Sequence, residues 1–76
     1  MAHLKTEQTL LLFKLRKVSS TTVYGSAISS AAYGCHSEEN FTKIVTELKE
    51  AIDQNEKMMV GILGEELVND LKNYTL

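Results

Sequence analysis

Arg16 and Lys17 stand just ahead of four hydroxyl residues, Ser19, Ser20, Thr21 and Thr22, and Val23, Tyr24 and Gly25 follow. Two cations can neutralise a phosphate, hydroxyls can donate hydrogen bonds to it, and the free N–H groups of a helix start favour an anion. Tyr24 would stack on a base, and Gly25 would let a ligand approach the backbone. These residues define one candidate site, for an anionic, nucleotide-like ligand: Arg16, Lys17, Ser20, Thr21, Thr22 and Tyr24. The string lacks the GxxxxGK[ST] spacing of a phosphate loop. Ordinary helix capping and dipole complementation account for the same residue types.

The adjacent pair Cys35-His36 is the other arrangement that suggests chemistry. A thiol nucleophile and its base are brought together in space, with a third group to orient the base, and sequence neighbours rarely face each other. Cys35 reads better as a small buried filler and His36 as a loop residue. The carboxylates from Glu38 to Asp70 alternate with Lys43, Lys49 and Lys57 as solvated helix faces do, and no spacing singles out a catalytic pair. The two histidines, His3 and His36, are far apart, so no metal site is expected. No catalytic constellation and no cofactor motif emerge, and the expected class is non-enzymatic.

Composition narrows the field further. The net charge of −2 disfavours a protein that holds nucleic acid by phosphate neutralisation. One cysteine allows no disulfide within the chain and suits a reducing cytoplasm. The N-terminus MAHLKTEQ is polar and carries no apolar run of signal-peptide length. The twenty residues Val18–Ser37 bear no charge and have the length of a membrane span, but Ser and Thr make them too polar for one. A chain of 76 residues holds one domain, and below about 80 residues a single core rarely supplies more than roughly 3–5 kcal/mol. With disulfide and metal set aside, self-association is the expected reinforcement.

These residues must be positioned by helices. Proline is absent and glycine is sparse. Residues 6–17 are good helix formers, with Thr6 as N-cap, Leu4, Leu11, Leu12 and Leu15 on one stripe, and Leu10 and Phe13 widening it. A strand over 10–18 is the lesser alternative there, because Phe13 and Leu15 alternate with Lys14 and Arg16. A second helix over 20–33 repeats small residues four apart, which permits close approach of a neighbour, and Gly34 suits a left-handed end. Ser37-Glu38-Glu39 is a helix start, after which Phe41, Val45, Leu48, Ile52, Asn55, Met59 and Ile62 recur at alternating spacings of 4 and 3. That pattern predicts one helix over 38–60 with a heptad seam, in which Asn55 either sets register or breaks the helix. Gly61 and Gly64 predict a kink before a last helix over 64–74.

The expected fold is therefore all-α, a small bundle of three to four helices completed by self-association. The uncharged second helix and the heptad seam place Ala27, Ile28, Ala31, Leu48, Ile52 and Met59 at or near contacts between copies. A protein partner is expected on the last helix, through Leu67, Leu71 and Tyr74. The favoured function is a small regulatory or inhibitory protein that acts by binding a partner. The alternative is an oligomer that sequesters an anionic small molecule between helices.

Overall fold

A computed structural model describes residues 4–19 and 21–76. Every regular element among them is helical: α1 (Thr6–Arg16), α2 (Val23–Tyr33), α3 (Glu38–Gln54), α4 (Glu56–Leu63) and α5 (Glu65–Asn73). The segment 10–18, where a strand competed, is helical through Arg16. Five helices replace the expected three or four because the anticipated spine over 38–60 is interrupted.

The interruption is at Asn55. Its backbone turns to φ −157°, ψ 80°; its N–H donates to Ala51 O, closing α3, and its side chain accepts from the Met58 N–H, opening α4. One residue ends one helix and caps the next, so Asn55 is a break rather than a register device between chains. The seam reads as continuous in sequence because the break leaves Met59 in phase with Ile52. Met59 is fully buried all the same, on a different helix.

The other boundaries follow local chemistry. Ser37 Oγ accepts from the Asn40 N–H at 3.2 Å, with Glu38 and Glu39 in the first turn, and Thr22 Oγ1 accepts from the Gly25 N–H at 2.9 Å. Lys5, not Thr6, takes the cap position of α1, and the Gln8 side chain reaches back to accept from the Lys5 N–H at 2.8 Å. Gly34 stays in right-handed space at φ −82°, correcting the left-handed end expected there. The left-handed residue is Gly64, at φ 90° and ψ 153° between α4 and α5.

α1 packs against α2 and α5, and α3 lies against α2, α4 and α5, so all five helices share one core. Leu12, Leu15, Phe41, Val45, Met59, Val68 and Leu71 are the largest of its fully buried side chains. Truncating a buried Phe to Ala costs about 3–5 kcal/mol, comparable to the whole stability a chain of this size can hold. Leu10 and Phe13 do not widen the inward stripe of α1, since both are about half exposed. No helix among the described residues is long and apolar enough to cross a membrane.

Candidate functional site

α2 has poor intrinsic helix formers and is held by three contacts with what precedes it. Gly25 lies so close to the Ser19 carbonyl oxygen that a Cβ there would overlap it. Ser29 Oγ donates to Arg16 O at 3.1 Å. Arg16 itself donates through Nε to Ala32 O at 3.0 Å and through a terminal nitrogen to Cys35 O at 3.4 Å, with its guanidinium 5.6 Å from the ring centroids of both Phe13 and Tyr33. The last turn of α2 contains no basic residue, so Arg16 supplies from α1 the cation that a helix C-terminus favours.

Fixed in this way, α2 buries only Gly25, Ile28 and Ala32. One chain therefore leaves much of the uncharged segment uncovered. Val23 is 90% exposed and Tyr33 62%, and Tyr24, Ala27 and Ala31 lie open on one flank. That flank forms one wall of a cleft of about 180 Å³, which Ile44, Glu47 and Leu48 of α3 complete. A second cleft, of about 390 Å³, continues it past Ala31 and Ile44 toward Gly34, Asn40 and Lys43. The result is an open groove between α2 and α3. Its walls are Tyr, Ala and Ile, with Lys43 and Glu47 at the rim one turn apart.

The proposed anion ligands are not gathered into one place. Arg16 is directed to the C-terminal end of α2, while Tyr24 is near its N-terminal end, eight residues from Ala32 and so about 12 Å away along the helix. Thr22 is occupied as the cap, Ser19 Oγ donates to Thr21 Oγ1, and Lys17 is exposed at the end of α1. Ser20, like His3, lies outside the described residues. Cys35 is buried, with Sγ 3.7 Å from Ser37 O, whereas His36 is exposed. Among the described residues no three His, Cys, Asp or Glu side chains converge on a point where a metal could sit.

Of the residues assigned to contacts between copies, Ala27 and Ala31 are exposed in the groove. Ile28, Leu48, Ile52 and Met59 are instead core residues, each 6% exposed or less. Leu67 and Leu71 are likewise buried, which corrects their expected place on a free surface: α5 is only nine residues long and spends its apolar stripe on the core. Tyr74 is half-buried, its ring edge-on to Phe41 at 5.5 Å and its hydroxyl accepting from Gln8 Nε2 at 3.2 Å.

Sequence reasoning missed two clamps. Besides Arg16, Lys49 Nζ donates to Leu71 O at 3.1 Å and Tyr74 O at 2.6 Å, fastening the end of α5 to α3. No local signal reveals either, because a cation's carbonyl partners lie 16 to 25 residues away. Lys14 joins α1 to α5 through Asp70 at 2.6 Å and Glu66 at 3.5 Å. The hydrogen bond to Asp70, aided by the charges of Asp70 and Glu66, raises the Lys14 pKa above its ordinary 10.5. Comparison with protein-family models finds no match to this chain, and no curated protein and no solved structure matches it.

Proposed function

We propose that this chain is a non-enzymatic interaction protein, regulatory or inhibitory in character, that acts by binding a protein partner through its helical surface. The observation that carries this reading is the uncharged flank of α2, exposed beside the α2–α3 groove. A helix face kept in water normally carries Lys or Glu, as the outer face of α3 does. An exposed Tyr next to small residues and a cleft has the composition of a binding surface, where aromatic anchors enter well-packed contacts. The lone thiol is consistent with a cytoplasmic setting. The anionic-ligand alternative would require Arg16 to leave the carbonyls of Ala32 and Cys35.

The test is a capture experiment mapped onto this face. The wild-type chain should retain a partner that Ala31→Glu releases, while Ser26→Glu, on another flank of α2, keeps it. Circular dichroism should be the same for all three. Turnover of a substrate that is abolished by changing Cys35 or His36 would overturn the class.

A further inference from the structure

We propose that the occupant of the α2–α3 groove is a second copy of this chain, docked about a two-fold axis that sets Lys43 of each α3 against the partner's Glu47. The inference rests on the reading of the groove as an interaction surface and adds the identity and orientation of what fills it.

A two-fold contact brings a patch against itself, so the patch must be self-complementary. The α2 flank satisfies this because Tyr24, Ala27 and Ala31 are uncharged and can meet their own copies without Coulomb repulsion. Ala27 and Ala31, four apart, also let the helices approach closely. The rim carries the stronger signal. Lys43 and Glu47 both border the groove, both are exposed, and neither enters an ion pair among the described residues. They lie on either side of Val45, about 6 Å apart along α3. An axis through the level of Val45 with the two α3 helices antiparallel exchanges these positions, so each ammonium meets a carboxylate, twice over. A partner of strong net charge would find no matching field here, since the rim is neutral as a pair. A chain this small also gains most from a second copy, because it buries a smaller share of its own surface than a larger domain does.

The experiment uses Lys43→Glu and Glu47→Lys, singly, mixed and combined, with sedimentation equilibrium at low salt. The wild type should dimerise. Either single change puts like charges across both contacts and should weaken the dimer by about tenfold or more, an effect that shrinks in high salt. An equimolar mixture of the two variants should recover association, since one chain then carries two anions at the rim and the other two cations. The double exchange within one chain should recover it as well. A like-charge pair within α3 costs the helix little, and circular dichroism will show each variant folded. A wild type that stays monomeric at high micromolar concentration overturns the second-copy inference, while the capture experiment still decides the broader reading. A dimer indifferent to these changes, or a mixture that fails to recover, overturns the two-fold geometry.

Discussion

Replacing Arg16 by Ala should damage the fold and not merely a ligand site. The side chain makes one short charge-assisted hydrogen bond, to Ala32 O at 3.0 Å, and a longer one to Cys35 O at 3.4 Å. A hydrogen bond to a charged group contributes about 1.5–3 kcal/mol, and partial exposure of Arg16 argues for the low end. The helix-dipole term overlaps with that bond and is not added again. The stack between Phe13 and Tyr33 adds about 0.5–1 kcal/mol, the range for exposed cation–π contacts. The expected loss is then roughly 2–3 kcal/mol, which at about 4–8 °C per kcal/mol for a domain of this size lowers Tm by about 8–24 °C. Thermal and urea unfolding followed by circular dichroism measure it. Lys17→Ala, one position along and exposed, should stay within about 0.5 kcal/mol of wild type. Arg16→Lys should recover only part of the loss, because an ammonium lacks the planar fork that bonds and stacks together. An Arg16→Ala protein melting within about 2 °C of wild type would refute the clamp and free Arg16 for another role.

Two glycines near each other should respond with opposite signs. Gly61 is helical with open space at its Cβ position, so Gly61→Ala should stabilise by about 0.5–1 kcal/mol. Gly64 has equal space but a backbone reserved for glycine, so Gly64→Ala should destabilise by about 1–3 kcal/mol; chemical denaturation of both variants checks the pair. Gly25→Ala should destabilise for a different reason, overlap with the Ser19 carbonyl oxygen, and should loosen the α1–α2 packing, seen as faster amide exchange in α2. Because its pKa is raised on folding, Lys14 adds stability that is complete below about pH 10.5 and is lost as pH rises through the raised value. Melting curves of wild type and Lys14→Met should therefore converge at high pH, and a constant difference would contradict the contact with Asp70.

Much of the fold was readable from residue order, where the deciding interaction is local. Ser37 with two following carboxylates starts α3, and the 4-and-3 spacing of Phe41, Val45, Leu48 and Ile52 picks out the buried face of α3, because caps and helical stripes involve residues within one or two turns; the start of α2 was open among four hydroxyl residues, and the fold selects Thr22 as its cap. The site was legible only in outline. Ala27 and Ala31 stood out by their spacing, but the groove they border needs Ile44, Lys43 and Glu47 from α3, and only the course of α3 beside α2 brings those into place. At Asn55 the sequence left both a register role and a break open, since a one-residue break preserves the apolar phase; its backbone conformation decides for the break and divides the spine. Leu67 and Leu71 have the same pattern whether an amphipathic helix faces a partner or its own core, and packing chose the core. The uncharged run announced that α2 would have little to offer water, yet how much of it one chain covers was set by three-dimensional arrangement. Arg16 completes the contrast. Its charge is a property of the sequence, while its use as the clamp on α2 depends on carbonyls 16 and 19 residues away that only the folded chain brings within reach.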